Sequence, residues 1–344
     1  MYKYLLFILI LYLLIVWLDK PKLLINKLTD YRIIIKLTDD LISNDSKQSH
    51  TNKSYSSKYK NYFFTNKKNI KNKFCVTGLI NKTNSKSCIY IPGYNDYFYN
   101  YKLGIDLFEK GYNFYAISFP NCGLVSNSND KNFATFDSIP NLYQYIDIIL
   151  EQFNITNIDL MIGYSTGALI ATCYADYKKI AKSNVKKLLL FSPFFDFPDY
   201  KFINHNFISY IGIIFPKFNI NLLRGKINDN QPIKNAIIEF NEMNFNPKYK
   251  SLFHIYLYAE WVHACSIQMK KIHNNMINVN CDVIMICSDK SNIHKNTTID
   301  DNILDIKDMI DNIHKITLKN VKTYFIKDSI HNTSLRINNI NDYL

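Results

Sequence analysis

The chain of 344 residues is long enough for one large domain with appended segments, and its hydrophobic content of 47% can fill a full core. Its seven cysteines include no C-x-x-C pair, and none of its eight histidines belongs to an H-x-x-x-H or H-E-x-x-H pattern. This composition argues against a zinc framework or a disulfide scaffold. We therefore expect buried free thiols, no metal and no other cofactor.

The net charge of +12 is concentrated in one stretch. No acid occurs between Ser46 and Asn95, and ten lysines fall there: Lys47, Lys53, Lys58, Lys60, Lys67, Lys68, Lys71, Lys73, Lys82 and Lys86. The first interpretation is a solvated surface, and the second is contact with an anionic lipid leaflet. No nucleic-acid-binding fold accompanies the lysines, so a nucleic-acid partner is not expected.

An apolar segment opens the chain. Residues 1–18 carry a single charged side chain, Lys3, and residues 4–18 make a helix of roughly 22 Å against a hydrocarbon core of about 30 Å. A secretory signal peptide needs small residues at its cleavage site, but the first glycine is Gly78 and the first alanine is Ala116. We therefore expect residues 1–18 to be a retained transmembrane anchor.

Positive charge follows this anchor, on Lys20, Lys22, Lys27, Arg32 and Lys36. The positive-inside tendency then places the bulk of the protein on the cytosolic side of a membrane. Residues 19–73 are expected to be a basic linker, because residues 38–72 are rich in Ser, Asn, Lys and Thr and show no periodicity before Phe63. The folded domain is expected to cover residues 74–344.

From Phe74 onwards, strand-like apolar runs alternate with helical patterns. Strands are predicted at 74–80 (as an edge strand), 87–91, 113–118, 158–162, 187–192, 282–287 and 321–326. Helices are predicted at 97–110, 139–153, 166–177 and 303–313, with a closing helix after Ile330. This alternation is typical of an α/β fold with a mostly parallel central sheet flanked by helices, and its site is expected at the carboxyl ends of the strands.

A serine lies between two glycines at one of these strand-to-helix junctions. Residues 158–162 are apolar, GYSTG follows at 163–167, and helical spacing continues after it. A turn of this kind holds a serine in a strained conformation, with its hydroxyl clear of the sheet and beside the next helix. Ser165 is therefore a candidate nucleophile. The alternative is an ordinary turn in which Ser165 caps the helix.

Other motifs occur in a fixed order around this turn: IPGYNDYF at 91–98, KGYNFYAI at 110–117, FSPFFD at 191–196, DNILDI at 301–306 and DSIHNT at 328–333. With them the sequence resembles the α/β-hydrolase superfamily, and more closely its branch of monoacylglycerol lipases and serine aminopeptidase-like proteins. The resemblance runs from about Ser87 to the C-terminus. The chain before Phe74 has no counterpart in it.

The resemblance implies an acyl-transfer site whose triad follows the order serine, acid, histidine. Ser165 is the expected nucleophile. His331 is the expected base, because it lies in a short loop after a late strand. The histidines of the region between the strands at 187–192 and 282–287 are expected to be surface or packing residues instead: His254, His263 and His273.

The acid of the triad is less directly indicated. Counting from the strand at 282–287 by the family's pattern reaches Ser291, which cannot serve. We interpret residues 291–300 as an insertion and favour Asp301, which lies 30 residues before the expected base, over Asp289. Either aspartate can instead be a solvated loop residue or a helix cap.

Two backbone N–H groups are expected to bind the oxyanion. Thr166 follows the nucleophile and supplies one of them. By the resemblance, Tyr94 supplies the other. The family has His-Gly where this chain has Pro92-Gly93, which removes loop hydrogen bonds but not the donor itself.

The substrate is expected to depend on residues 197–275, where the family inserts a helical lid. The first part is strongly apolar, and the whole region holds five acids against nine lysines and arginines. These apolar residues can also simply pack the lid onto the core. An apolar, slightly basic lid suits a fatty-acyl ester, including one with an anionic head group, better than the free amine of an aminopeptidase substrate.

The sequence therefore predicts a membrane-anchored serine hydrolase that acts on lipid esters such as monoacylglycerol or lysophospholipid. The expected partners are this acyl-ester substrate, a membrane at the N-terminal segment and anionic lipid at the basic linker. The alternatives are an aminopeptidase-like amidase and a catalytically silent α/β-hydrolase used for binding.

Overall fold

The computed structural model describes residues 28–37, 54–69, 72–178, 184–198, 205–221, 233–293 and 299–344. The predicted anchor, residues 1–18, lies outside these ranges, as does much of the predicted linker. Within these ranges, no helix combines the length and the apolar character needed to cross a membrane.

A single sheet organises the described part of the chain. Its nine strands are β1 (Tyr31–Leu37), β2 (Lys60–Asn66), β3 (Lys73–Leu79), β4 (Lys86–Ile91), β5 (Tyr112–Ser118), β6 (Leu160–Tyr164), β7 (Lys187–Phe191), β8 (Asp282–Ser288) and β9 (Val321–Ile326). Their order is β1-β2-β3-β5-β4-β6-β7-β8-β9. The pairs from β1 to β5 are antiparallel, and those from β5 through β4 to β9 are parallel. The mostly parallel sheet predicted from the sequence is confirmed.

Helices follow the parallel strands. They are α1 (Tyr101–Glu109), α2 (Tyr143–Gln152), α3 (Thr166–Lys178), α4 (His205–Ile214), α5 (Lys234–Met243), α6 (Ala259–His273) and α7 (Ile306–Ile313). The helices α4, α5 and α6 belong to the β7–β8 insertion, by which we mean residues 197–275, and α4 packs against α6.

The core lies on both faces of the sheet. In β4, Ile89 and Ile91 belong to one buried apolar cluster, and Cys88 and Tyr90 belong to another. Successive side chains of a strand point to opposite faces, so a strand covered on both sides reads as a continuous apolar run. This explains why the central strands were predictable from short apolar stretches.

The sheet begins earlier in the chain than predicted. β1 and β2 lie within residues 19–73, which were predicted as a linker, and the start of the folded domain near Phe74 was therefore wrong. β2 pairs with β3, so β3 is an internal strand and not an edge strand. The polar residues around β1 and β2 conceal them in the sequence, whereas the fold buries Phe64 and stacks its ring on Phe74, with centroids 4.4 Å apart.

The end of the chain also differs from the prediction. Two short 3₁₀ turns, Thr333–Arg336 and Ile340–Asp342, replace the closing helix expected after Ile330. Asparagine side chains compete here for backbone groups, since Asn339 Oδ1 accepts a hydrogen bond from the N–H of Asn341 at 3.0 Å. All seven cysteines lie within the described residues as free thiols, and six of them are buried.

Candidate active site

The turn between β6 and α3 holds Ser165 in a left-handed backbone conformation. Its φ is +53°, which an L-residue with a Cβ rarely adopts. The N–H of Ser165 donates to the carbonyl of Phe191 at 2.9 Å, and its carbonyl accepts from the N–H of Ala168 at 2.9 Å. These bonds fix the turn from both sides, so that the half-exposed serine stands at the carboxyl end of the sheet.

The glycines on either side are required by close backbone contacts. A Cβ on Gly163 would lie 2.4 Å from Ala168 Cα, and one on Gly167 would lie 2.2 Å from the carbonyl oxygen of Ile91. Both distances are well inside van der Waals contact. The glycines therefore allow α3 to start directly against β6 and against the end of β4.

The loop after β4 carries the second predicted oxyanion donor. At Gly93 this loop passes Ser165 so closely that a Cβ there would lie 3.2 Å from the serine Cβ. The Tyr94 hydroxyl donates to the carbonyl of Tyr256 at 3.0 Å, and its ring packs against Trp261 with centroids 4.6 Å apart. The structure thus places Tyr94 and Thr166 on segments that both adjoin Ser165.

His331 and Asp301 form a buried pair. The distance from His331 Nδ1 to Asp301 Oδ2 is 2.8 Å, and the two residues are 2% and 0% exposed. Because an ionised carboxylate only accepts hydrogen bonds, Nδ1 carries the proton and Nε2 keeps its lone pair. The other carboxylate oxygen, Oδ1, accepts from the N–H groups of Ile303 and Leu304, each at 2.9 Å. The imidazole is therefore fixed in the tautomer that a general base needs.

Backbone bonds at the end of β8 bring Asp301 to this position. Ser291 and Asp301 form a parallel bridge, and the N–H of Asp301 donates to the carbonyl of Lys290 at 2.9 Å. Asp301 thus lies beside Ser291, the position that counting from β8 had reached. Asp289, the alternative acid, instead accepts a hydrogen bond from the N–H of Asp328 at 3.0 Å, whereas the carboxylate bonded to His331 is that of Asp301.

The structure does not join the histidine to the serine. His331 Nε2 is buried and has no hydrogen-bond partner among the described residues. Ser165 and His331 nevertheless line the same pocket. Hydrogen bonds of a catalytic serine are often long in unliganded enzymes, so an unpartnered Nε2 on a residue that lines this pocket is compatible with a base that engages when substrate binds. The loop after β9 carries His331, and we call it the base loop. Ser192, which the sequence did not indicate, holds this loop by donating from Oγ to the His331 carbonyl at 2.7 Å.

The pocket over Ser165 is mostly apolar with a few polar groups, as small-molecule sites usually are. The β7–β8 insertion supplies much of its wall. Its lining includes Tyr94, Tyr164, Ile233, Ala236, Ile255, Leu257 and Ile303 as apolar members, with Asn235, Glu239, Lys250 and His254 among the polar ones.

A second group of charged residues beside the pocket was not predicted. Lys250 Nζ donates to Asp96 Oδ1 at 3.0 Å, to Glu239 Oε2 at 2.6 Å and to the Tyr99 hydroxyl at 2.8 Å. Asn332 Nδ2 donates to the Tyr99 hydroxyl at 3.1 Å and to Glu239 Oε2 at 3.0 Å. We call these five residues, all at most 5% exposed, the Lys250 cluster.

Charge in the Lys250 cluster is unbalanced, with two carboxylates and one ammonium. Burial raises the pKa of Asp96 to about 6, with Lys250 opposing the rise and Glu239 adding to it. Burial also disfavours the charged forms of Glu239 and Lys250, but the attraction between the ammonium and the carboxylates outweighs this effect. The pKa of Glu239 is therefore lowered and that of Lys250 is raised.

Only part of the Lys250 cluster carried a signal in the sequence. Asp96 lies in the IPGYNDYF motif, close to a predicted oxyanion donor, and Asn332 directly follows the predicted base. Glu239 and Lys250 were counted among the charges of the predicted lid, but nothing in their spacing indicates that they meet Asp96 across more than 140 residues.

The class of protein follows from this geometry together with a family comparison. A family model described as the alpha/beta hydrolase fold matches residues 89–231. This match and the structural neighbours confirm the resemblance to the α/β-hydrolase superfamily that the motifs indicated. No curated protein matches it by sequence.

Two solved structures illustrate the likeness. A monoacylglycerol lipase from Paleococcus ferrophilus is 16% identical, with 71% of this chain and 85% of that one covered and a TM-score of 0.51. A soluble variant of monoglyceride lipase from Saccharomyces cerevisiae, in complex with a substrate analogue, is 17% identical, with 74% and 83% covered and a TM-score of 0.51. At these identities the likeness is one of fold.

Proposed function

We propose that this chain is a serine hydrolase that cleaves carboxylic esters of lipids, of the monoacylglycerol or lysophospholipid type. Ser165 is the nucleophile, His331 the base and Asp301 the acid that orients it. The N–H groups of Tyr94 and Thr166 bind the oxyanion. The observation that carries the proposal is the buried Asp301–His331 hydrogen bond, which leaves Nε2 unpartnered in the pocket of a strained serine.

The proposed reaction has two halves. Nε2 of His331 takes the proton of the Ser165 hydroxyl as Oγ attacks the ester carbonyl, and the negative charge moves to the carbonyl oxygen. The oxyanion collapses, the ester bond breaks, and the imidazolium gives its proton to the departing alcohol. Water then attacks the acyl carbonyl and gives a proton to the same imidazole. The bond from the acyl carbon to Ser165 Oγ breaks, the imidazolium returns the proton to Oγ, and the fatty acid leaves.

The lining of the pocket supports an acyl chain as the bound group. Ile233, Ala236, Ile255 and Leu257 bring apolar side chains from the β7–β8 insertion, which we propose to be a lid. The region of α4 supports contact with lipid too, because large apolar side chains are more than half exposed there: Tyr210 and Ile214 in α4, and Phe215 directly after it.

An aminopeptidase-like activity has weaker support. It would require a carboxylate that can receive the free amine of a substrate. Glu239 is an acid that lines the pocket, but its Oε2 already accepts hydrogen bonds from Tyr99, Lys250 and Asn332. That carboxylate is engaged inside the protein, which favours the ester over the amine.

Attachment to a membrane is part of the proposal. Residues 1–18 would anchor the chain, with the catalytic domain on the cytosolic side. The acid-free stretch contributes exposed lysines that suit an anionic lipid surface: Lys58, Lys60, Lys67, Lys68, Lys73, Lys82 and Lys86.

A fluorophosphonate probe tests the proposed activity. It should label the wild-type chain and leave Ser165→Ala unlabelled, because the probe reacts with an activated serine. Ser266→Ala is the control, since that serine is buried in α6, does not line the pocket and should not be the labelled residue. Absence of labelling in the wild type would indicate a catalytically silent protein. Labelling of Ser165→Ala would place the nucleophile elsewhere.

The substrate class is tested by comparing a long-chain p-nitrophenyl ester with an aminoacyl anilide. We expect hydrolysis of the ester and little or none of the anilide. Faster hydrolysis of the anilide would replace the esterase proposal with the amidase.

A further inference from the structure

The Lys250 cluster touches three separate parts of the proposed site. Asp96 lies two residues after Tyr94, on the loop that carries an oxyanion donor. Glu239 lies on α5 of the β7–β8 insertion, and Asn332 directly follows His331. We call the loop after β4, which carries Tyr94 and Asp96, the oxyanion loop. The buried ammonium of Lys250 connects this loop with the insertion. Glu239 and Tyr99 extend the connection to the base loop, because both accept hydrogen bonds from Asn332.

The neighbouring residue of the insertion binds the same loop. The Asn95 amide donates from Nδ2 to the Ser251 carbonyl at 3.0 Å, and its Oδ1 accepts from the Ser251 N–H at 2.8 Å. Asn95 has a φ of +53°, a left-handed conformation that asparagine tolerates and that these two bonds hold in place. The insertion therefore grips the oxyanion loop at two consecutive residues.

The hydrogen bonds from Lys250 and Ser251 lie close in the chain to Pro92, where the sequence differs from the family pattern. Pro92 occupies the place of the family's histidine, so the loop lacks the hydrogen bonds of that side chain. The bonds from Lys250 and Ser251 hold the loop from the opposite side, beyond Tyr94.

Stability alone does not account for the Lys250 cluster. A buried ion pair is often replaceable by apolar residues at no cost, and an extra buried carboxylate is unfavourable. Asp96 is such a carboxylate, since Lys250 already pairs with Glu239. An arrangement that costs free energy beside a reactive serine points to a role in the site.

We propose that Lys250 and Ser251 are positioning residues, through which the β7–β8 insertion holds the oxyanion loop and the base loop in register. The insertion is then a structural part of the site as well as its cover. For its catalytic meaning this inference rests on the proposed esterase activity, but the coupling between the loops is a property of the fold that can be measured without substrate.

Hydrogen–deuterium exchange tests the coupling directly. In the full-length Lys250→Met variant, amides in peptides 93–100 and 329–336 should exchange about tenfold faster or more, because both loops lose a shared anchor. Lys217→Met is the matched control. It removes another lysine of the insertion that pairs with a glutamate, Glu260, and neither residue of this pair lines the pocket of Ser165. Wild-type exchange in both loops of Lys250→Met would overturn the proposal.

Two substitutions at Asp96 keep the test decisive if Lys250→Met does not fold. Asp96→Ala leaves the Lys250–Glu239 pair intact, so no buried charge is left alone. It should speed exchange in peptide 93–100 and lower kcat for a p-nitrophenyl ester by about tenfold to a hundredfold, with KM changed less than about threefold. Asp96→Asn keeps an oxygen that can accept from Lys250 and should restore both values. Equal behaviour of the two variants would contradict positioning by this hydrogen bond.

The two readouts separate this inference from the proposed function. A wild-type chain that shows coupled exchange but no probe labelling would disprove the esterase and retain the coupling. A labelled chain whose Asp96→Ala variant keeps wild-type exchange and kcat would retain the esterase and disprove the positioning role.

Discussion

The Ser165 hydroxyl depends on a backbone conformation that costs free energy. A non-glycine residue at positive φ is less stable by about 1 kcal/mol or more, and the surrounding structure must hold it there. Here the holding bonds come from Phe191 at the end of β7 and from Ala168 in α3. The Ser165 side chain is thereby held where it lines the pocket.

The choice of acid gives a prediction at single-residue level. Asp301→Asn should lower kcat about a thousandfold or more, because an amide at the position of Oδ2 no longer fixes the His331 tautomer. Asp289→Asn should keep activity within about threefold, since an asparagine oxygen can still accept from the Asp328 N–H. Steady-state kinetics on a p-nitrophenyl ester provide the measurement. A large loss in Asp289→Asn with a small one in Asp301→Asn would reverse the choice.

Asp96 gives a prediction about pH. Its folded-state pKa of about 6 lies above the ordinary value of 3.8, so the folded chain keeps the proton longer than the unfolded chain does. The stabilisation that this brings is present below pH 3.8 and is lost as the pH rises through about 6. A difference of about two pH units corresponds to about 3 kcal/mol.

Urea unfolding of the wild type and Asp96→Asn at several pH values measures this effect. The difference in free energy of unfolding should move in favour of Asp96→Asn by up to about 3 kcal/mol between pH 4 and pH 7. Groups that do not interact with Asp96 titrate equally in both proteins and cancel, and the direction of the change is set by Asp96 itself. A difference that stays constant with pH would show that Asp96 is ionised throughout.

At the level of elements, the junction between β6 and α3 is the most tightly packed part of the site. Gly167→Ala should lower the free energy of unfolding by about 2 kcal/mol or more, because the new Cβ meets the backbone of Ile91, which cannot rotate away. Gly111→Ala is the control. Gly111 has a positive φ, which Gly167 does not have, and a Cβ there meets nothing within 4 Å, so we expect a loss of only about 1 kcal/mol. A loss at Gly167 no larger than that at Gly111 would show that the contact with Ile91 is relieved at little cost.

The same elements show how far the sequence alone could lead. β6 and α3 were predictable because an apolar strand, two glycines and a helical pattern follow one another within about twenty residues. β1 and β2 were not, because each has only a short apolar run, 33–35 or 62–64, between polar residues, and each is defined by its partner: β1 pairs with β2, and β2 pairs with β3. Local patterns indicate local elements, and the strand that covers an edge is defined by its partner.

Side-chain contacts, like strands, could be predicted where a local sequence motif indicates them and not where the partners are distant in the chain. The place of Asp301 could be inferred, because the motif around it and the following helix survive an insertion of ten residues, 291–300. The contacts of Lys250 could not, because Asp96 and Glu239 reach it from distant parts of the chain and no spacing connects them.

On the scale of the whole molecule, the proposed anchor and the lysine-rich stretch concern attachment to membranes. The described residues begin at residue 28, so removing residues 1–22 leaves all of them in place. We expect the full-length chain in the membrane pellet after fractionation and the shortened chain in the supernatant or bound in a salt-sensitive manner. Surface lysines at an anionic leaflet are screened by salt, whereas an inserted segment is not.

Washing at high salt separates the two contributions. A shortened chain that pellets at low salt and is released at about 1 M salt would be held by its lysines alone. Full-length chain that stays soluble throughout would refute the anchor. The probe reaction of Ser165 provides the control, because the shortened chain should label as the full-length chain does.

The bridge between Ser291 and Asp301 has a further consequence for the evolution and engineering of this fold. The hydrogen bonds between Asp301 and the chain at Lys290 and Asn292 fix the position of the Asp301 carboxylate. The number of residues between Ser291 and Asp301 does not fix it. Lengthening a closed loop adds little entropic cost, about 0.6 kcal/mol for each doubling. Homologous chains are therefore free to gain or lose residues here while the acid keeps its place in space. We therefore expect that a short reporter peptide inserted between Ser291 and Asp301 would lie next to the proposed acid without displacing it.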